Sequence, residues 1–193
     1  MTPYQEYIAK SRYARYLDDK GRREHWSETV DRYMTFMDIH LTKQHDYVIP
    51  RELYNELKQA ITDREVLPSM RSIMTAGEAL ERQNIAGYNC SYLPIDDPKA
   101  FDEAMYILLC GTGVGFSVEQ KYVSKLPEVP DQLFHSETSI VVSDSKEGWA
   151  KSLRQLIALL YSGEVPRYDL SRIRPAGERL RTFGGRASGP GPL

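Results

Sequence analysis

Two cysteines, a glycine-rich turn, a serine-flanked arginine and an arginine-laced tail are the features of this 193-residue chain whose residue types suit chemistry. Cys90 lies in IAGYNCSYL (85–93), an aromatic run bounded by turn residues at Pro94–Asp97, and reads as a buried strand bearing a thiol. A lone cysteine in a core strand is most often an inert, small apolar side chain. A redox role needs a partner thiol, and Cys110 is the other cysteine of the chain. It closes the helical run FDEAMYILLC beside Ile107, Leu108 and Leu109, where burial suppresses reactivity, so an internal Cys90–Cys110 disulfide is disfavoured. Two cysteines are too few for a disulfide framework, and no zinc-type spacing is present.

Gly111-Thr112-Gly113-Val114-Gly115 follows that helix and leads into the strand-like FSVEQKYV. A dinucleotide fingerprint runs strand, glycines, helix, and a phosphate loop ends in Lys-Ser/Thr. Here the order is helix, glycines, strand, with no such lysine, which excludes both. Two readings remain: a plain helix stop, or a stop beyond which a ligand approaches bare main-chain amides. Ser69-Met70-Arg71-Ser72 is expected as a loop, because Pro68 disfavours a helical Leu67. Such a loop suits a phosphate or ribose, or simply an Arg–acid pair with serines capping turns. Arg172, Arg174, Arg179, Arg181 and Arg186 surround the final glycine-rich segment, which suits an anionic ligand or a solvated basic loop. His25, His40, His45 and His135 form no HExxH or His/Cys pair, and an i, i+5 spacing does not bring two rings onto one helix face. They read as surface or capping residues.

The elements that must carry these groups follow from capping and periodicity. Thr2, Pro3 and Gln5 make a capping box for a first helix running to about Leu17, with Tyr4, Tyr7, Ile8 and Tyr13 on a core or interface stripe. A second helix starts near Ser27 and carries Val30, Tyr33, Met34, Met37 and Leu41. A third, from Pro50 to about Thr62, repeats Leu53, Leu57 and Ile61 at one face. Asp97 caps the helix ending at Cys110. Residues 122–134 read as irregular, Ser139–Val142 as a short strand, and Tyr168–Ile173 as another. Between those strands Asp144 and Glu147 form a capping box for the longest helix, which Gly163 stops; Trp149, Leu153, Leu156, Ile157 and Leu160 make its buried face.

Net charge is −2 with acids and bases interspersed, so no basic field points to nucleic acid or a membrane surface. No signal peptide or apolar span is evident, which makes a cytoplasmic protein the expectation. The loop-like ending FGGRASGPGPL, from Phe183, suggests one piece of a longer protein.

PSMRSIMTAG, AGYNCSY, FDEAMYILLCGTGVGFSVEQ, DSKEGWAKSLRQLIALLYSGEVP and RPAGERLRTFGGRASGPGPL occur in this order. Together they resemble the N-terminal part of the monomeric adenosylcobalamin-dependent, class II, ribonucleoside-triphosphate reductases. The likeness runs from about Ser11 to Leu193. It implies an α/β fold: a helical region over 1–66, then over 67–193 the opening strands and helices of a ten-stranded barrel, incomplete in this chain. It implies that Cys90 is one of two reducing thiols, its partner lying outside the chain. Ser69, Met70, Asn89 and the backbone at Gly111, Gly113 and Gly115 are implied to cradle the substrate ribose and phosphates. Asp97 is implied to bind the sugar of a deoxynucleotide effector. The loop from Gly184 to Pro192, with Gly185, Arg186 and Ser188, is implied to relay effector identity to the substrate base.

In that family cobalt–carbon homolysis generates a thiyl radical on a fingertip-loop cysteine, and a nearby glutamate acts as base. By context neither cysteine here is the radical one. That cysteine, the glutamate, most of the cobalamin site and the C-terminal cysteines reloaded by thioredoxin or a similar dithiol are all expected beyond Leu193. Expected partners are ribonucleoside triphosphates, deoxynucleotide effectors and the remainder of the reductase, as one half of a split enzyme or a truncated product. The rival reading is a non-catalytic nucleotide-binding or regulatory module derived from the same fold. A fragment of a dimeric class I reductase is a third; DSKEGW and GGRASGP resemble the cobalamin branch. Half a barrel has exposed strand edges, so association with its complement or with itself is expected.

Overall fold

The computed structural model describes residues 1–180, 182 and 185–193. The chain divides into two compact units, one built on Met1–Tyr88 and one on Asn89–Leu180 with Gly185–Leu193.

The first unit is helical. α1 (Pro3–Ile8) has the expected capping box: the Thr2 hydroxyl accepts the Gln5 N–H at 3.2 Å, and the Gln5 side chain accepts the Thr2 N–H at 2.8 Å. It ends sooner than its stripe suggested, passing into a π-helical turn at Ala9–Tyr13, and Tyr4 and Tyr7 are exposed. A small hairpin unforeseen in the sequence follows, β1 (Tyr16–Leu17) against β2 (Arg22–Arg23). α2 (Trp26–His45) packs Val30 and Met34 against Ile61 of α3 (Arg51–Asp63), with Trp26, Tyr33 and Tyr54 closing the cluster. Each fully buried side chain of this kind stabilises the fold by about 1.5–3 kcal/mol. The Trp26 indole N–H donates to the Thr62 carbonyl at 3.0 Å, locking the start of α2 to the end of α3. Leu53 and Leu57, expected on the packed face of α3, are exposed; Ile61 alone of that row enters the core. Two short helices complete the unit, α4 (Met70–Thr75) and α5 (Glu78–Arg82), followed by a 3₁₀ turn at Asn84–Gly87.

The second unit contains two parallel strand pairs, each with a helix between its strands. β3 (Cys90–Pro94) and β4 (Gly113–Ser117) flank α6 (Lys99–Leu109). The run expected as one strand over 85–93 is therefore divided: its first half is the 3₁₀ turn, and pairing starts only at Cys90. Likewise FSVEQKYV keeps its strand only to Ser117 and then turns into α7 (Gln120–Val123). β5 (Phe134–Val141) and β6 (Glu164–Asp169) flank α8 (Lys146–Tyr161). Both strands begin earlier in the chain than their β-branched runs suggested.

Parallel pairs need such crossovers, and the helix covers one face of the strands. Leu93, Ile95 and Ala100 form one core with Phe101, Ala104, Ile107 and Val114, and Ile140, Val142 and Ile173 form another with Trp149, Leu156 and Leu159. Polar contacts join α6 and its C-cap Cys110 to α8. Arg154 Nη2 and Nε donate to Asp102 Oδ2 at 2.6 and 3.0 Å, Tyr106 donates to Glu147 at 3.3 Å, and Lys146 Nζ lies 3.6 Å from the Cys110 sulfur. The cap of α8 corrects the sequence reading: Ser145 accepts the Gly148 N–H at 2.9 Å, while Asp144 accepts Arg174 Nε at 2.7 Å.

Candidate functional site

Alternation along β3 and β4 decides what faces outward. Leu93 and Val114 point toward α6, so Cys90, Tyr92, Gly113 and Gly115 occupy the other face. The register pairs Cys90 with Gly113 and Tyr92 with Gly115. Cys90 is exposed, a correction to the buried strand expected of it, because α6 covers only the Leu93 face. Cys110 is buried and both thiols are free, in keeping with the disfavoured internal disulfide. The strip beside the Cys90 sulfur is bare main chain.

The flanking groups hold that strip in place. The Asn89 carbonyl accepts the Gly113 N–H at 2.9 Å, and the Ser91 hydroxyl donates to the Gly113 carbonyl at 3.1 Å. Gly111 ends α6 with φ +84°, a left-handed turn that a glycine adopts without steric cost. At the other end of α6 the N-cap is Pro98, one residue later than the Asp97 expected from the sequence, and the Asp97 carboxylate accepts the Lys99 N–H at 2.8 Å just ahead of the helix.

The tail forms an antiparallel ladder. The Gly177 N–H donates to Ala187 at 2.8 Å, the Ala187 N–H to Glu178 at 2.7 Å and the Leu180 N–H to Gly185 at 2.9 Å. Arg186 is thereby fixed opposite Arg179, and its Nη1 donates to the Gly177 carbonyl at 2.9 Å. Ser188 donates to the Gly189 carbonyl at 3.4 Å. Of the five arginines considered for an anion, Arg174 is committed to Asp144 and Arg186 to main chain. Arg181, Phe183 and Gly184 lie outside the described residues.

In the first unit Ser69 is not part of a loop but the N-cap of α4, its hydroxyl accepting the Ser72 N–H at 3.5 Å. Met70, the first residue of that helix, is exposed. Pro68 keeps Leu67 out of the helix as expected, and the helix begins directly after it. Ser69 and Met70 thus belong to one unit, whereas Asn89, Cys90, Asp97, Gly111, Gly113, Gly115, Gly185, Arg186 and Ser188 belong to the other.

The His40 and His45 rings lie 5.8 Å apart, edge to face, so the i, i+5 spacing does bring them together, at the end of α2. They have no third ligand: among the described residues no group of three or more His, Cys, Asp or Glu side chains suits a metal ion. No described helix is long and apolar enough to cross a membrane.

The backbone overlays a solved crystal structure of a B12-dependent (class II) ribonucleotide reductase with a TM-score of 0.75 and 25% identity, covering 96% of this chain and 35% of the other. The likeness is to the N-terminal part of a class II ribonucleotide reductase. Residues 118–193 match the family model of the B12-dependent ribonucleotide reductase insertion domain. Sequence relatives agree. The chain is 30% identical over 193 residues to the adenosylcobalamin-dependent ribonucleoside-triphosphate reductase of Euglena gracilis, covering 91% of this chain and 26% of that enzyme. It is 27% identical over 246 residues to the reductase of that name from Lactobacillus leichmannii, covering 95% and 33%. The chain therefore spans about a third or less of the reductases it matches, and the barrel it contributes to is partial. The insertion-domain match draws a distinction inside 67–193 that the sequence reading did not make.

Proposed function

We propose that this chain is the N-terminal portion of a reductase that converts ribonucleoside triphosphates to 2′-deoxyribonucleoside triphosphates, and that Cys90 is one of its two reducing thiols. The observation that carries this is the exposed Cys90 sulfur beside bare glycine backbone on the open face of a parallel strand pair, in a chain that overlays a class II reductase. Reduction of the 2′ carbon consumes two electrons. The Cys90 thiol and a second thiol outside the chain give up their hydrogens, the 2′ hydroxyl leaves as water, and the sulfurs end as a disulfide. Thioredoxin or another dithiol then restores both thiols.

The backbone at Gly111, Gly113 and Gly115, with Asn89, is assigned to the ribose and phosphates, with no glycine side chain to block approach. Ser69 and Met70 are assigned to the substrate as well. Asp97 is assigned to the sugar of a deoxynucleotide effector, and Gly185, Arg186 and Ser188 to passing effector identity on to the substrate base. Adenosylcobalamin is assigned mainly to the remainder of the reductase, and no step here passes through it.

The test is deoxynucleotide formation from ribonucleoside triphosphates with adenosylcobalamin and a dithiol, using this chain alone and then with the remainder of the reductase as a second polypeptide. The expected result is activity in the mixture only, with Cys90→Ser abolishing multiple turnover under limiting dithiol. No activity from a folded mixture overturns the reading in favour of a nucleotide-binding module.

A further inference from the structure

α4 is only six residues long, and its two ends do different work. Ser69 and Met70 stand at its start. Its last turn is gripped by a residue far away in sequence: Arg32, in the middle of α2, donates through Nη1 to the carbonyls of Ile73 and Ala76, both at 2.9 Å. Arg32 Nη2 also reaches the Tyr13 carbonyl at 3.3 Å. The other edge of the guanidinium forks onto Glu24, Nε to Oε1 at 2.8 Å and Nη2 to Oε2 at 3.0 Å.

Glu24 is only 4% exposed, and it accepts two further bonds, from the Arg15 N–H and the Thr29 hydroxyl, both at 2.9 Å. Arg15 carries the network onward. Its Nη1 donates to the Thr182 carbonyl at 3.0 Å, and the Thr182 hydroxyl accepts from Arg82 at 3.1 Å. One buried carboxylate is therefore hydrogen-bonded, through two arginines, to the end of α4 and to Thr182.

A buried ion pair adds little net stability compared with apolar packing, and its best-supported use is to select one geometry. Planar, forked guanidinium contacts fix direction as well as distance. A six-residue helix is about 9 Å long, so a small tilt at Ile73–Ala76 displaces Ser69 at the far end.

We propose that Glu24 and Arg32 are positioning residues for the substrate end of α4. The role rests on the reductase reading of Ser69 and Met70. The network makes no contact with the reacting atoms; it sets where α4 presents them.

The test is steady-state turnover of this chain with the remainder of the reductase, comparing wild type, Arg32→Lys, Glu24→Gln and Arg15→Met, with circular dichroism to verify folding. Arg32→Lys keeps the charge and loses the fork. Its KM for the ribonucleotide is expected to rise about tenfold with kcat within twofold. Arg15→Met keeps the main-chain bond to Glu24 and the contacts to α4, and is expected to leave KM within twofold of wild type. A purely structural network would lower the active fraction, so that kcat falls while KM stays unchanged; that result overturns the proposal. Glu24→Gln, which keeps the size and part of the bonding, decides the matter if Arg32→Lys fails to fold. An inactive wild-type mixture overturns the reductase reading and the positioning role together, whereas an active wild type with unchanged KM in the variants overturns the role alone.

Discussion

Cys90 and Gly113 are register partners across the β3–β4 pair, and a side chain added at Gly113 would have its Cβ 3.5 Å from the Asn89 carbonyl oxygen. That is ordinary van der Waals distance. The backbone accepts a larger residue there, and only the open strip beside the sulfur is lost. Gly113→Val should keep the thermal midpoint within a few degrees, because valine favours strands. Ribonucleotide turnover should fall at least tenfold. Thermal melts beside kinetics check this; unchanged turnover would show that the strip is not a binding surface.

The two thiols differ in access, since Cys90 is exposed and Cys110 is 0% exposed against Lys146 and the α6–α8 packing. Titration with Ellman's reagent should find one fast-reacting thiol in the native chain and two in denaturant. Cys90→Ser should remove the fast one. Two fast thiols in the native chain would contradict the packing of α6 on α8.

Gly148 has no room for a methyl group: a Cβ there would sit 2.5 Å from the Ser143 carbonyl oxygen and 2.7 Å from the Ser143 Cβ. Backbone must move to relieve such a clash, and forced overpacking costs about 1–3 kcal/mol. Gly148→Ala should therefore be destabilising despite alanine's better helix propensity, read as a lower urea midpoint with an unchanged slope. A rise in the midpoint would refute the close approach of Ser143.

Glu24 sets an acid limit on the first unit. Burial alone would raise its carboxyl, but the Arg32 guanidinium, the Arg15 N–H and the Thr29 hydroxyl outweigh that burial and hold it below the ordinary carboxylate range. A carboxyl depressed in the folded state contributes stability that is fully present above its unfolded value, about 4.3, and is lost as pH falls through the folded value. Wild type should lose stability progressively below about pH 4.3. Glu24→Gln should start about 1–3 kcal/mol lower at pH 7 and lose less on acidification. Urea midpoints at pH 7 and pH 3 test the sign; equal acid losses in both proteins would refute it.

Local chemistry was legible in the sequence wherever neighbours within a few residues decide it. The Thr2–Gln5 box and the left-handed stop at Gly111 both appear as the residue order implied, and the start of α6 falls within one residue of its expected place. Choices between adjacent polar residues were not: Ser145 took the cap expected of Asp144, because Arg174, far along the chain, claims that carboxylate. Periodicity also mistook faces. Leu53 and Leu57 have the spacing of a core row, yet only Ile61 meets α2, and the IAGYNCSYL run reads as buried although just one of its faces lies under a helix. The Glu24–Arg32 network had no sequence signal, since its bonds to Ile73 and Ala76 join residues 41 and 44 positions apart. Arg181 and Gly184 lie outside the described residues, so their expected part in the tail loop carries no structural comparison.

The parallel pairs also bear on how the chain acquires its shape. Ser91 and Gly113 are bonded across the first pair although only 22 positions separate them, with α6 filling the interval. Short closure is entropically cheap, and contacts this local favour rapid folding. During synthesis the first pair can close once Ser117 has left the ribosome, before β5 has fully emerged to compete for β3 or β4. The strand bearing Cys90 thus finds its neighbour early, with a mispaired partner not yet free to reach it.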